Sequence, residues 1–230
     1  MKTASAKSAT EQRALVLLSG GQDSTTCLFW ALDRFGKGAV DAICFDYGQR
    51  HRIEIDAARQ VAAHAGVPLV VLPIDTFSAL GGNSLVDTSI AIPAEASASG
   101  LPGTFVPGRN LVFLTYAAAY AWRRDIRHLV TGVAQTDYSG YPDCRQNTIT
   151  ALQRCLRLGM ERNFKIHAPL MHRSKKQTVE LAASLGALEA LRLSHTCYNG
   201  KRPPCGSCAA CLLRAKGFAE AGIADPLLTV

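Results

Sequence analysis

The densest chemical signal in the sequence is the segment Leu18-Ser19-Gly20-Gly21-Gln22-Asp23-Ser24-Thr25-Thr26. Two adjacent glycines permit a tight turn that exposes backbone N–H groups. A helix opening directly after them adds partial positive charge. Ser19, Ser24 and Thr25 supply hydroxyl donors, and Asp23 reads either as a functional acid or as a plain helix-start carboxylate. Together these groups suit a pyrophosphate. No Gly-Lys-Ser/Thr follows, so this is not a Walker A loop. The expectation is a loop that grips a leaving pyrophosphate rather than one that activates a terminal phosphoryl group.

A second cluster lies near the other end of the chain. Cys197, Cys205, Cys208 and Cys211 are spaced C-x7-C-x2-C-x2-C. Four thiolates can close a tetrahedral shell around zinc, with no position left for water, which marks a structural site. An iron–sulfur cluster is the rival, but the wide first gap and the lack of a following Cys-Pro favour zinc. His195 is expected to support or flank the cluster rather than to ligate. Cys27 and Cys44 read as core residues, and Cys144 stays open.

These residues need a scaffold. The apolar run 14–18 stops at the glycines and reads as a buried strand, followed by a helix over 23–34. Strands are expected at 39–45, 67–73, 128–133 and 164–168. Helices are expected at 50–65, with Ile53, Ala57, Val61 and His64 or Ala65 as one stripe, and at 110–124, 146–159 and 174–185. Strands alternating with helices imply a doubly wound, mostly parallel α/β sheet. In such a fold the loops 19–24, 46–51 and 134–145 converge beyond the strand ends, where ligands bind. The stretch 75–108 is rich in Gly, Ser, Ala and Pro without a period, and is expected to act as a lid that orders over ligand.

The organisation expected is a polar leader over 1–13, an α/β domain over 14–194 and a small zinc-binding C-terminal region over 195–230. Of the 230 residues 48% are hydrophobic, enough for one sizeable core. The 25 Lys and Arg against 18 Asp and Glu give a net charge of +7, which fits an anionic ligand but does not choose among nucleotide, carboxylate and RNA. No run is long enough to span a bilayer, and residues 1–13 lack the apolar stretch of a signal peptide. The expected place is the cytoplasm, where thiols stay reduced.

The loop resembles that of the N-type ATP pyrophosphatases, which cleave ATP between the α and β phosphates; Asp23 then corresponds to the acid near the phosphates and magnesium. Further strings converge: FDYGQRH (45–51), FVPGRN (105–110), TGV (131–133), DYSGYPDCR (137–145), HAPL (167–170) and CGSCAAC (205–211). This set is similar to the 7-cyano-7-deazaguanine synthase family across roughly residues 14–226. Ala209-Ala210 and Met171-His172-Arg173 depart mildly from the pattern and touch no ligand or loop residue.

The resemblance implies conversion of 7-carboxy-7-deazaguanine, ammonia and ATP to the nitrile, with AMP and pyrophosphate released, a structural zinc and a homodimer. Lys175 and Arg109 are then candidates to offset developing phosphate charge, and Arg145 to meet the substrate carboxylate. Asp137, Tyr138, Tyr141 and Asp143 are candidates for the deazaguanine: a carboxylate can accept from the ring N–H edge and a tyrosine can stack. Which aspartate does so is open. Tyr47, Gln49 and Arg50 could line the nucleotide or substrate, and His51 reads as structural.

Three rival readings stand beside this one. A tRNA sulfur transferase would use the same loop with Cys144, but no basic segment interleaved with aromatics supports RNA binding. A zinc-containing nucleic-acid module would leave the phosphate loop unexplained. An amidotransferase would need a separate glutaminase domain.

Overall fold

The computed structural model describes residues 13–49, 52–80, 105–135 and 141–229. Five parallel strands form one sheet in the order β3-β2-β1-β4-β5. They are β1 (Ala14–Leu17), β2 (Val40–Asp46), β3 (Leu69–Pro73), β4 (His128–Val130) and β5 (Lys165–His167). Ala14 lies beside Val40 on one side and His128 on the other, so β1 occupies the centre.

Alternation along β1 feeds two cores. Ala14, Val16 and Leu18 pack with α1 (Gln22–Phe35) and α2 (Ile53–Ala65) on one face. Leu15 packs with α4 (Arg109–Trp122) and α5 (Gln146–Gly159) on the other. Leu15, Leu28, Ile43 and Leu129 are fully buried, each contributing about 1.5–3 kcal/mol relative to exposure. The fold is therefore a doubly wound α/β sheet, as expected. The connections after β1 and β4 leave toward opposite faces, which opens a crevice between two neighbouring strands at their C-terminal ends.

Some boundaries differ from expectation. The strand anticipated over 128–133 ends at Val130, because Thr131 to Val133 turn away into the crevice loop. On α2 the stripe closes on buried Ala65, and His64 is exposed. A short helix α3 (Thr76–Leu80) opens the stretch anticipated as loop; 81–104, and with it the lid expectation, lie outside the described residues. Two further helices follow α6 (Lys175–Ser184): α7 (Leu188–Leu193) and α8 (Ala209–Ala221). The second begins inside the cysteine cluster, so Cys211 is helical. Val179, Ala182, Leu191 and Phe218 form a small core joining α6, α7 and α8.

Arg214 fastens this last segment. It is buried and meets Asp225 through two hydrogen bonds of 2.7 and 2.8 Å. It also donates to Ser194 Oγ at 2.8 Å and to the Leu191 carbonyl oxygen at 3.2 Å. A buried guanidinium needs such complete pairing to offset its desolvation. Among the described residues no helix is long and apolar enough to cross a membrane.

Candidate active site

A cavity of about 360 Å³ sits at the C-terminal ends of β1, β2 and β4, bordered by the phosphate loop, the loop after β4 and the segment before α8. The loop's shape follows from its residues. Gly20 has φ +84°, and a Cβ there would come within 2.3 Å of the Glu54 carbonyl oxygen and 2.7 Å of the Ala58 nitrogen. Only glycine admits that approach of α2. Ser24 Oγ ties the turn: it donates to the Gly21 carbonyl oxygen (3.1 Å), receives the Ser19 N–H (3.2 Å) and meets Ser19 Oγ (3.1 Å). α1 then opens without a side-chain cap, which leaves first-turn N–H groups for an anion.

Leu18, Ser19, Gly21, Gln22, Asp23 and Ser24 line the cavity, whereas Gly20, Thr25 and Thr26 lie behind it. Thr26 Oγ1 is turned into the helix, donating to the Gln22 carbonyl oxygen at 2.9 Å. Gln22 Nε2 and Asp23 Oδ1 are buried and find no hydrogen-bond partner among the described residues. Such orphans are rare and point to an absent ligand.

Lys175 reaches this loop from α6. Ser174 and Gln177 cap that helix reciprocally, with Ser174 Oγ accepting the Gln177 N–H at 3.2 Å and Gln177 Oε1 accepting the Ser174 N–H at 2.9 Å. This capping box fixes Lys175 at the first helical position, where its Nζ lies 2.6 Å from Asp23 Oδ2. Arg109, the first residue of α4, stands across the cavity and donates to Tyr47 Oη at 3.4 Å. Burial works against its charge, but Tyr47, Tyr141, Asp143 and Glu54 outweigh that and raise its pKa. Tyr47 in turn is pushed up to about 12, first by burial.

The residues anticipated for the ring system separate. Tyr141 is on the cavity wall beside Phe105, with ring centroids 5.6 Å apart. Asp143 is buried but off the wall. Its Oδ2 accepts from the Asn110 backbone N–H (3.0 Å) and Nδ2 (3.1 Å), which anchors the start of α4. Arg145 is exposed and off the wall, at the N-cap of α5. Asp137 and Tyr138 lie outside the described residues, as do Arg50 and His51. Tyr47 and Gln49 line the cavity. So does Cys144, buried and receiving Asn110 Nδ2 at 3.4 Å. Glu54, Tyr198 and His195 also line it, and sequence reasoning assigned none of the three to this site.

The four C-terminal cysteines converge. All four Sγ atoms lie within 4.8 Å of one another, and Cys205 and Cys211 are 3.9 Å apart. Zinc–sulfur bonds of about 2.3 Å in a tetrahedron require sulfur–sulfur edges of roughly 3.8 Å, so the cluster could hold a metal ion and is compatible with zinc. Backbone N–H groups of Cys205 and Cys208 point at Cys197 Sγ and Cys205 Sγ, each at 3.4 Å. This cluster connects to the phosphate loop through two short links. His195 Nε2 donates to the Cys197 carbonyl oxygen at 2.9 Å, and the His195 N–H donates to the Gly20 carbonyl oxygen at 2.8 Å.

Comparison with known proteins fits this geometry. The family model described as queuosine biosynthesis protein QueC matches residues 13–222. The chain is 67% identical over 222 residues to the 7-cyano-7-deazaguanine synthase of Chromobacterium violaceum, covering 96% of this chain and 94% of that one. It is 66% identical over 218 residues to the protein of that name from Laribacter hongkongensis, covering 94% of each. The corresponding figures for the one from Alkalilimnicola ehrlichii are 51% over 229 residues, 91% of this chain and 94% of the other. On the phosphate loop, the converging cysteines and these matches, the chain belongs to the queuosine biosynthesis protein QueC family.

Proposed function

We propose that this chain converts 7-carboxy-7-deazaguanine and ammonia to 7-cyano-7-deazaguanine, with ATP split to AMP and pyrophosphate. The observation that carries the reading is the 2.6 Å contact between Lys175 and Asp23, on a loop whose Gln22 Nε2 and Asp23 Oδ1 have no hydrogen-bond partner among the described residues.

A carboxylate is a poor acyl donor because its leaving group would be oxide. Transfer of AMP onto that oxygen gives a good leaving group, and ammonia can then form the amide. The same activation of the amide oxygen, followed by loss of AMP, gives the nitrile, so two ATP are consumed. The cavity-lining loop residues Ser19, Gly21, Gln22 and Ser24 hold the leaving pyrophosphate. Lys175 and Arg109 offset phosphate charge from partly buried positions, where such interactions are stronger than on the open surface. Asp23 Oδ1 suits the magnesium that accompanies ATP and neutralises phosphate charge. Tyr141 offers a face for the planar ring.

Zinc in the four-thiolate shell would supply shape rather than chemistry. The reading carries with it a homodimer, a cytoplasmic place and a boundary near residue 195 between the α/β domain and the metal-binding region.

Isotope transfer tests the reaction. With the substrate carboxylate labelled in ¹⁸O, the label is expected in AMP. Label recovered only in pyrophosphate, phosphate or water contradicts an adenylated carboxylate.

A further inference from the structure

We propose that Glu54 receives the nitrogen nucleophile: its carboxylate binds ammonium in the cavity and takes the proton that must leave before nitrogen attacks. This rests on the reaction proposed above.

The reaction needs a proton acceptor, since near neutral pH ammonia in water is almost entirely ammonium, which has no lone pair to attack with. Two carboxylates line the cavity among the described residues, Asp23 and Glu54. Asp23 is paired with Lys175. Asp143, the other carboxylate near Arg109, is spent on Asn110. Glu54 is half-buried and makes no hydrogen bond or ion pair among the described residues. Its place is fixed, because the first turn of α2 is pressed against Gly20.

The groups facing Glu54 tune it as an acceptor. They are Arg109 from α4, Cys44 and Tyr47 from the end of β2, and Tyr198 from the segment before α8. Burial raises the Glu54 pKa to about 7, with Arg109 pulling the other way. A base poised near the working pH is the effective kind. Burial also raises Cys44 and Tyr47 to about 12, so neither accepts a proton from ammonium as readily.

The step balances. Ammonium gives one proton to the Glu54 carboxylate, leaving ammonia and a carboxylic acid. Nitrogen attacks the acyl carbon, the C–N bond forms, and the bond to the AMP oxygen breaks with its electron pair leaving on AMP. Glu54 passes its proton to water, and the second proton goes from the nitrogen of the tetrahedral species to the regenerated Glu54 carboxylate, and thence to water, as that species collapses to the amide and AMP.

The test compares the wild type with Glu54→Gln, with Glu54→Asp as the conservative variant. Two quantities are measured: carboxy-deazaguanine-dependent exchange of labelled pyrophosphate into ATP, and product formation against ammonium concentration from pH 6 to 9. Glu54→Gln is expected to keep exchange within a few-fold while kcat/KM for ammonium falls on the order of 10²–10⁴-fold, the usual contribution of general acid–base catalysis. The wild-type profile should rise with a midpoint near 7, and the Gln profile should instead follow free ammonia upward. Hydroxylamine, a far weaker base than ammonia and largely unprotonated at neutral pH, should restore the Gln variant. Glu54→Asp should recover part of the ammonium dependence. Loss of exchange together with product formation would overturn the proposal in favour of a nucleotide role. A raised KM for carboxy-deazaguanine with ammonium kinetics unchanged would overturn it in favour of ring recognition. Absence of exchange in the wild type would instead contradict the proposed reaction itself.

Discussion

Lys175 Nζ lies 2.6 Å from Asp23 Oδ2, which joins the first residue of α6 to the first turn of α1 across 152 positions of chain. Both side chains are largely withdrawn from water, at 12% and 26% exposure. The pair is therefore less screened than a surface bridge. Lys175→Met should leave Asp23 without this partner beside the bound phosphates. The expected result is a fall of about 10²–10³-fold in pyrophosphate exchange, the scale seen when one charge-stabilising donor is lost, with a cooperative melt retained. Exchange within three-fold of wild type would remove Lys175 from the account.

Gly217 of α8 sets where Lys175 can stand. A Cβ at position 217 would lie 2.9 Å from Lys175 Cβ and 3.2 Å from its backbone carbon and oxygen. Backbone gives little, so Gly217→Ala should push the two helices apart. A loss of about 1–3 kcal/mol in stability is expected from overpacking, together with a raised KM for ATP. A denaturant melt and ATP kinetics read the two effects separately. Lowered stability with an unchanged ATP KM would show that Gly217 serves packing alone.

The metal should matter to the loop as well as to its own segment. Cys197 is tied to His195, and His195 to Gly20, by bonds of 2.9 and 2.8 Å. Cys208→Ala should lose the metal, lower the melting temperature and raise the KM for ATP. Elemental analysis of the wild type should give about one zinc per chain, as four ligands require. A metal-free variant with wild-type melting and turnover would contradict the link.

A pH effect on stability arises away from the site. His128 Nδ1 and His167 Nε2 are 2.9 Å apart between β4 and β5. Burial, then His128, Lys165 and Arg34, lower the His167 pKa from 6.5 to about 4. The unfolded chain thus takes up a proton first as pH falls, so stability declines from about pH 6.5 toward 4 and is unaffected above. His167→Asn should flatten the shift of the urea midpoint between pH 7 and pH 5. An unchanged shift would place the acid sensitivity elsewhere.

The phosphate loop and the metal cluster were legible in sequence because each rests on local spacing. Ser-Gly-Gly alone is often an ordinary turn, but the whole string Ser19 to Thr26 after an apolar run is not, and four cysteines within fifteen positions converge with little help from the fold. β1 and β3 were legible because each is a continuous apolar run, ALVL and LVVLP, bounded by turn residues. The cavity's inner lining was not. Asp143 and Glu54 look alike in sequence, yet one turns to the start of α4 and the other to the cavity. That difference is set by tertiary packing. The α8 helix was hidden by its alanines, its Gly217 and the buried Arg214, which blur an amphipathic pattern.

The central claim is that this loop carries two adenylations on the way to a nitrile. The most direct measurement is mass spectrometry of the products from purified protein, ATP, ammonium and 7-carboxy-7-deazaguanine, with nucleotides quantified alongside. The account predicts the nitrile together with AMP and pyrophosphate, two AMP for each nitrile formed. Substrate-dependent ADP and phosphate, or AMP without any nitrile, would contradict it.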